Sequence, residues 1–367
     1  MNKSETIDST VHSTRCFTQL SALLFGSDQS DGTKRAIRDV SSYDREHLGQ
    51  LWGLATSHHV LMRTFPALDR GMATQGNSRS EWLENAVKTE HARIHHALEV
   101  LAPICAALEE VGEVIVIKSL DHWPDLGNDL DLYTTAAGNE VVSLMQERFQ
   151  ARLARRSWGD RLANKWNFIV PGLPELVEVH AGRLGQTGEQ VAITDSLVAR
   201  AKRAKFGSHT FRVPSGEDLV IISTLQRMYR HFYVRLCDIA NIARLVDSEA
   251  IDYLYLESVA RSAGIWEGVA TYLVVLAEYV EQYRDRAFRL PSLIVDDVRF
   301  FGTEVRLRKR FLRIPIFPQG ASLYVKEWAK LLFNGEVLNA LRLSLLPGLA
   351  AAAAVAAKIS GSDKGIW

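Results

Sequence analysis

The spacing of apolar residues changes abruptly after Gly112, and this change constrains the fold more than any other feature of the chain. Residues 82–108 repeat apolar side chains at helical intervals. Residues 114–117 form a β-branched run typical of a strand buried on both faces. Residues 129–133 alternate polar and apolar side chains, as a strand with one covered face does. We therefore expect a long helix to be followed by a β-sheet.

The rest of the chain returns to helical patterns. A helix is predicted over about 139–156, and strands are predicted over 166–170 and 176–180. From Glu217 onward the spacing is helical again. This order predicts an α+β fold, a small mixed β-sheet flanked by N-terminal and C-terminal helical regions. The predicted ranges are an N-terminal helical region (1–112), the α/β core (113–214), a helical subdomain (215–290) and a C-terminal helical region (291–367).

Charge and cysteine content limit the class of partner and the compartment. The 43 basic and 43 acidic residues cancel, so no net field attracts a long polyanion and no DNA partner is expected. The three cysteines form no C-x-x-C pair, which argues against a disulfide framework and a structural zinc site. The polar first ten residues lack the apolar run of a secretory signal. We expect a cytoplasmic protein.

One segment near the C-terminus is long enough to be considered for membrane insertion. It covers residues 337–359, but Arg342 and Pro347 interrupt it and its second half is mostly alanine. We expect a helix packed on the protein body. An interfacial membrane helix is the alternative.

Two carboxylate motifs are the strongest candidates for chemistry. Alternate side chains of a strand share a face about 6.5 to 7 Å apart, so Asp129 and Asp131 point the same way. Such a pair can hold cations about 3.5 to 4 Å apart, although a solvated strand edge has the same pattern. Residues 176–180 place Glu178 and His180 on one strand face, the arrangement expected of a third metal-side carboxylate.

Cationic residues near these motifs are candidates for binding phosphate. Lys118 and Ser119 follow the first strand, where a small residue lets backbone N–H groups approach a phosphate and a lysine adds charge. The helix predicted from Glu217 carries charged residues at steps of four, four and three, near one side of an α-helix: Arg227, His231, Arg235 and Asp238. These cations could meet a triphosphate or an acceptor. A solvated face with an ordinary helix ion pair has the same spacing.

This order of motifs resembles the uncharacterised bacterial nucleotidyltransferase family that is related to the DNA polymerase β superfamily. In that family the first strand ends Leu-Lys-Gly, the carboxylates read Asp-Ile-Asp-Leu and the later strand reads Asp-Leu-His. The matching residues here are Ile117-Lys118-Ser119, Asp129-Leu130-Asp131-Leu132 and Glu178-Val179-His180. The resemblance covers roughly residues 113–246. Serine replaces the family's glycine at position 119, and Glu178 replaces its aspartate.

The resemblance implies a nucleotidyltransferase core in which Asp129, Asp131 and Glu178 hold Mg²⁺ or Mn²⁺ and act in catalysis. The residues expected around the nucleotide are Lys118, Ser119, His180, Arg227, His231 and Arg235. The implied reaction moves a nucleoside monophosphate from a nucleoside triphosphate, with ATP the expected donor, to an acceptor hydroxyl. The acceptor could be a small molecule, a peptide, a protein or an RNA end. The alternatives are a catalytically degenerate nucleotide-binding or scaffold protein, for which Glu178 is the hint, and a membrane-peripheral protein attached through residues 337–359.

Overall fold

The computed structural model describes residues 3–74, 81–248, 251–284, 288–308 and 310–349, together with 351, 352 and 355. Within these ranges the chain has a mixed α+β fold, in which helices surround small β-sheets. The expected fold class is confirmed at this level.

Helices fill the N-terminal part of the chain. Ser30 caps the second helix by accepting a hydrogen bond from the backbone N–H of Thr33, and Asp44 caps the third through His47. The sequence Ser78-Arg79-Ser80-Glu81 has the spacing of a capping box and predicts the start of the long helix, but residues 78–80 lie outside the described residues. The helices are α1 (Lys3–Phe25), α2 (Asp31–Ser41), α3 (Arg45–Ser57), α4 (Leu61–Thr74) and α5 (Glu81–Leu108).

The central sheet has five strands in the order β1-β2-β5-β4-β3. Strands β2 and β5 are parallel, and the other neighbouring pairs are antiparallel. One face of the sheet forms a hydrophobic core with α5 and α6. The elements are β1 (Val114–Val116), β2 (Asp129–Thr134), α6 (Gly138–Phe149), β3 (Arg152–Leu153), α7 (Trp158–Leu162), β4 (Lys165–Ile169) and β5 (Leu176–Ala181).

The helix predicted over 139–156 is too long. It ends at Phe149 because Gln150 adopts a left-handed backbone conformation with φ of 51°, after which the chain forms β3. Two strands that the sequence analysis did not predict follow further on. After α8 (Ala192–Arg200), they form a hairpin of β6 (Lys202–Phe206) and β7 (His209–Val213).

The continuous helix predicted from Glu217 through Asp238 is wrong. Helix α9 (Gly216–Thr224) continues as a π-helical segment, Leu225–His231, and Phe232 then ends the helix with a left-handed φ of 52°. The chain forms the short strand β8 (Tyr233–Val234) before helix α10 (Leu236–Asp247) begins. The cationic residues therefore do not share one helix face.

The remaining described residues are mostly helical, but they contain a hairpin that the prediction of a helical C-terminal region missed. Its two strands pair with β8 in a three-stranded sheet of order β8-β10-β9. The elements are α11 (Tyr253–Ser262), α12 (Trp266–Glu281), α13 (Ser292–Val295), β9 (Arg306–Arg308), β10 (Phe311–Arg313), α14 (Ala321–Phe333) and α15 (Val337–Ser344).

The four predicted ranges do not each have a core of their own. Side chains of α1 to α4 share one hydrophobic core with α9 to α12, whereas α5 packs with the sheet. The buried imidazole of His58 joins distant parts, because Nδ1 accepts a hydrogen bond from the N–H of Leu236 and Nε2 donates to the carbonyl of Arg310. At the C-terminal end Ala340 and Leu343 of α15 pack against Leu331 of α14. In the described ranges, no helix is both long and apolar enough to cross a membrane.

Candidate metal centre

The strand register brings two carboxylates together. Strands β2 and β5 run parallel with Asp131 opposite Glu178. Because Leu130, Leu132, Val177 and Val179 are fully buried in the core beneath the sheet, the intervening acidic side chains lie on the other face. His180 lies two residues beyond Glu178 on that same face. The three side chains offer ligand atoms that all lie within 4.8 Å of one another: Asp131, Glu178 and His180.

Two lysines and the histidine bind these carboxylates. The Lys118 ammonium lies 2.5 Å from Asp131 Oδ1 and 3.6 Å from Glu178 Oε1. Lys165 Nζ lies 2.6 Å from Glu178 Oε2 and 3.2 Å from Asp160 Oδ1. Both carboxylates are therefore already neutralised by cations of the chain itself.

Burial governs the protonation of the centre. Burial raises the pKa of Asp131 to about 7, against the opposing charge of Lys118. Burial alone would also raise the pKa of Glu178, but the charge of Lys118, the hydrogen bond from His180 and the charge of Lys165 hold it well below its usual value. Glu178 is thus the more firmly ionised carboxylate.

His180 is a neutral imidazole at neutral pH. Burial lowers the pKa of His180 to about 4. Its Nε2 lies 2.9 Å from Glu178 Oε1, and a carboxylate can only accept, so Nε2 carries the hydrogen. The buried Nδ1 then carries a lone pair and has no hydrogen-bond partner among the described residues. Because Nε2 is the ring nitrogen that faces both carboxylates, His180 would bind a metal there in the other neutral tautomer, with the hydrogen on Nδ1.

The donor set fits a divalent cation. An octahedral ion with ligands at about 2.0 to 2.2 Å holds its donor atoms about 3 to 4.4 Å apart, close to the spacing found here. Two carboxylates suit Mg²⁺ or Mn²⁺, and the imidazole favours a transition metal, hence Mn²⁺. A cation at this position would take the place of the Lys118 ammonium between Asp131 and Glu178.

Asp129 was predicted to hold the metal together with Asp131 and Glu178, but it does not belong to this group. It stands at the exposed start of β2, one strand repeat before Asp131 and on the same face. Burial and the charge of Glu178 raise the pKa of Asp129, so the ionisation of Asp129 still depends on the charge of the centre. The structure groups His180, which was expected near the nucleotide, with Asp131 and Glu178 instead.

The Ser119 hydroxyl bonds to the protein backbone. It donates to the carbonyl of Asp129 at 3.0 Å and accepts from the N–H of Asp131 at 2.7 Å. Ser119 is 2% exposed. The hydroxyl therefore fixes the edge of β2 rather than facing a phosphate, whereas Lys118 does reach the centre.

Arg227, His231 and Arg235, which were expected around the nucleotide on one helix face, are separated in the structure. Arg227 is 1% exposed and forms a two-atom ion pair with Asp238, through Nε at 2.7 Å and Nη2 at 3.0 Å. The side chain of Arg235 contacts His59 and Tyr233, and its N–H donates to Asp238. Neither arginine is free to bind a phosphate as predicted. His231 lies near the centre, at the wall of an adjoining groove.

The sequence offers Lys165, Arg183 and Arg230 as weaker candidates for binding phosphate, and two of them lie near the centre. Lys165 faces His180 across the β4–β5 pair, a register that the sequence does not encode in any short motif. Arg230 lines a small cleft together with Lys118 and His180. No hydrogen bond or ion pair to Arg230 is present among the described residues, so its charge is available to an anion.

No protein-family model, no curated protein and no solved structure matches this chain.

Proposed function

We propose that this protein is a metal-dependent nucleotidyltransferase. The observation that carries the proposal is the pairing of Asp131 with Glu178 on parallel strands, where both carboxylates reach one Lys118 ammonium. Two carboxylates that can share one cation could hold the metal ion that assists transfer of a nucleotidyl group. The resemblance of the motifs around these residues supports the same conclusion.

Each residue of the centre has a role in this proposal. Asp131, Glu178 and His180 would hold Mg²⁺ or Mn²⁺, with Asp129 available to a second ion at the strand start. A bound ion would neutralise charge that develops on the transferring phosphate. Glu178, the more firmly ionised carboxylate, would hold the ion on the side of the acceptor hydroxyl. Lys118, once displaced from the carboxylates, and Arg230 would contact the phosphates of the nucleoside triphosphate, for which ATP is the proposed donor.

The test is transfer of label to a component of a cell extract. The chain is incubated with extract, Mg²⁺ or Mn²⁺, and ATP labelled in either the α- or the γ-phosphate. We expect α-label to be transferred and γ-label to be released. Glu178→Gln and Asp131→Asn should each lower transfer by about 100-fold or more, because each removes a charge that acts in the transition state. Glu147→Gln, the same change on the exposed face of α6, is the control. Transfer of the γ-label, or full transfer by Glu178→Gln, would refute the proposal.

A second candidate is nucleotide binding without turnover. It is favoured by Lys118 and Lys165, whose ammonium groups already neutralise the carboxylates. The two candidates differ in what Lys118→Met does. In the enzyme, removing the ammonium should strengthen Mn²⁺ binding by about tenfold while slowing transfer, because a competing cation and a phosphate contact are lost together. In a binding-only protein, the native chain binds Mg²⁺–ATP without any transfer, so Lys118→Met has no transfer to slow and changes only the binding of the metal and ATP.

A further inference from the structure

Helix α15 has one apolar side against the protein and a second apolar side that is exposed. Ala340 and Leu343 pack on α14. At about 100° per residue, Leu338, Leu341 and Leu345 lie within about 60° of one another on the opposite side of α15 and its C-cap. Each of these three leucines is more than half exposed. The segment thus packs on the protein body, as expected, through one side of the helix only.

The exposed apolar side chains continue onto the end of α14. Phe333, the last residue of that helix, is 86% exposed, and Val337 is exposed at the start of α15. In the described ranges, nine of the sixteen exposed large apolar residues lie between positions 317 and 355, so this exposure is concentrated in one region. Single exposed apolar residues are usual on a protein, whereas a group of them marks an interaction surface. We call the following set the α14–α15 apolar surface: Phe333, Val337, Leu338, Leu341 and Leu345.

Two arginines without a carboxylate partner lie at one edge of this surface. Arg342 follows Leu338 by one helical turn, and its buried Nη1 has no hydrogen-bond partner among the described residues. Arg183, in the loop after β5, donates to Asn339 Oδ1 and to the carbonyl of Gly188. Burial and the nearby charge of Arg342 lower the pKa of Arg183. The two guanidinium groups are therefore close enough to repel each other, and an anion beside them would be stabilised.

Cations also outnumber carboxylates along the surface itself. Between positions 329 and 349 the chain has Lys330 and Arg342 but one carboxylate, Glu336, which accepts a hydrogen bond from Asn339. Lys330 Nζ lies 5.5 Å from the ring centre of Phe333. An apolar helix side with cations at its edge is suited to an anionic lipid surface. A second copy of the chain fits less well, because a symmetric dimer would bring the same cations together.

We propose that the α14–α15 apolar surface docks the protein on an anionic membrane surface. Leu338, Leu341 and Leu345 enter the boundary between headgroups and acyl chains, with α15 in the plane of the interface. Arg342 and Arg183 contact lipid phosphates, which guanidinium groups bind through paired hydrogen bonds. The docking surface contains no residue of the carboxylate centre, so this proposal does not depend on the proposed transfer reaction.

The test is flotation of the full chain with vesicles of phosphatidylcholine and phosphatidylserine in equal amounts, and with vesicles of phosphatidylcholine alone. We expect binding to the anionic vesicles that weakens at high salt. Leu338→Glu and Leu341→Glu should each weaken binding by about tenfold or more, because each removes apolar area and adds a charge that the lipid repels. Arg342→Gln should weaken it by about fivefold. Leu254→Glu, the same change at an exposed position of α11, is the control and should bind as the native chain does.

The proposal is overturned if the native chain does not bind the anionic vesicles, binds neutral vesicles equally well, or binds no better than Leu338→Glu and Leu341→Glu do. Two other results would assign the surface to a different occupant and overturn it as well. If light scattering shows a dimer that Leu338→Glu converts to a monomer, the surface is an interface between copies. If Leu338→Glu lowers the free energy of unfolding in urea far more than Leu254→Glu does, the chain itself covers the surface.

Binding of Mg²⁺–ATP without vesicles tests the proposed function separately. We expect the native chain and Leu338→Glu to bind the nucleotide equally, because the substitution lies outside the carboxylate centre. A native chain that floats with anionic vesicles but does not bind Mg²⁺–ATP would refute the transfer reaction and support the docking surface. A chain that binds Mg²⁺–ATP but does not float would refute the docking surface alone.

Discussion

At the scale of single residues, the Ser119 hydroxyl connects both ends of the peptide segment that carries the two aspartates. It bridges the carbonyl of Asp129 and the N–H of Asp131, and it is buried. A buried backbone N–H that loses its hydrogen-bond partner is unfavourable. An exposed polar group can form the lost hydrogen bond with water instead.

Ser119→Ala is therefore expected to lower the free energy of unfolding by about 1 to 3 kcal/mol, because the N–H of Asp131 loses its buried partner. Urea denaturation measures this change, and Ser143→Ala on the exposed face of α6 is the control. If Ser119→Ala were as stable as the native chain but bound ATP poorly, the hydroxyl would be a phosphate ligand as the sequence suggested.

The sequence predicts which face of a strand a side chain lies on, but it does not predict which residues of other strands lie beside it. Strand alternation correctly placed Glu178 and His180 on one face, because a period of two is a local property of the chain. That Asp131 lies opposite Glu178 depends on how two strands 47 positions apart align, which no local pattern specifies. The contacts of Lys118 and Lys165 with Glu178 follow from the same register and were equally hidden.

At the scale of elements, the break at Phe232 changes the role of the arginines. A helix with apolar residues on one side was predicted from local spacing, and α9 and α10 both exist, but the turn between them folds Asp238 back onto Arg227. The π-helical segment and the left-handed Phe232 could not be predicted, since no glycine or proline marks them in the sequence.

Arg227→Met is expected to destabilise the protein by about 3 to 5 kcal/mol, because Asp238 is left as an unpaired buried charge. Adding Asp238→Asn should restore part of the loss, as the amide removes that charge while its oxygen can still accept from the N–H of Arg235. Unfolding in urea gives both values. Arg148→Met, which breaks an exposed pair with Glu110, should have a much smaller effect, and equal losses at the two sites would contradict the account.

Helix α14 docks on the loop after β5 through two buried carboxyl groups. Glu327 of α14 is 1% exposed and accepts a hydrogen bond from Gln190 Nε2, and Glu189 is 2% exposed. Burial, followed by the charge of Glu189, raises the pKa of Glu327 well above its ordinary value. A folded-state pKa above the unfolded one means that the native protein binds the proton more tightly. The stability that this gives is present at low pH and is lost as the pH rises from the unfolded value towards the folded one.

The contribution of Glu327 to stability is therefore expected to fall as the pH rises above about 4.3, by at most about 1.4 kcal/mol per pH unit. Glu327→Gln cannot ionise, so this variant should show a smaller slope. Its gain in stability over the native chain should be larger at pH 8 than at pH 5. Urea denaturation at the two pH values measures it. A stability difference between variant and native chain that does not change with pH would refute this interpretation.

At the scale of the whole molecule, the helical regions pack around the sheet in an arrangement that composition and periodicity did not predict. The sequence specified an α+β fold and the approximate positions of α5, α6 and α9. It did not reveal that α1 to α4 and α9 to α12 share one core, or that His58 bonds to both α10 and the β9–β10 turn. The two hydrogen bonds of His58 join residues more than 170 positions apart, so they depend on the complete fold.

The groove belongs to this scale as well, because no single region of the chain forms it. Residues of α7, the π-helical segment and α14 meet around it. The groove could not be predicted from the sequence for this reason: its walls come from five separate stretches, 157–165, 180–186, 229–232, 316–324 and 346–352, none of which carries a recognisable motif.

The most direct test of the account is a titration of the full chain with Mn²⁺, followed by the electron paramagnetic resonance signal of the free ion. The account predicts a site that Asp131→Asn and Glu178→Gln each weaken by about tenfold or more, since even an outer-shell partner of a metal site contributes that much. Glu147→Gln should bind as the native chain does. Native Mn²⁺ affinity in folded Asp131→Asn and Glu178→Gln would contradict the claim that these two carboxylates share one cation.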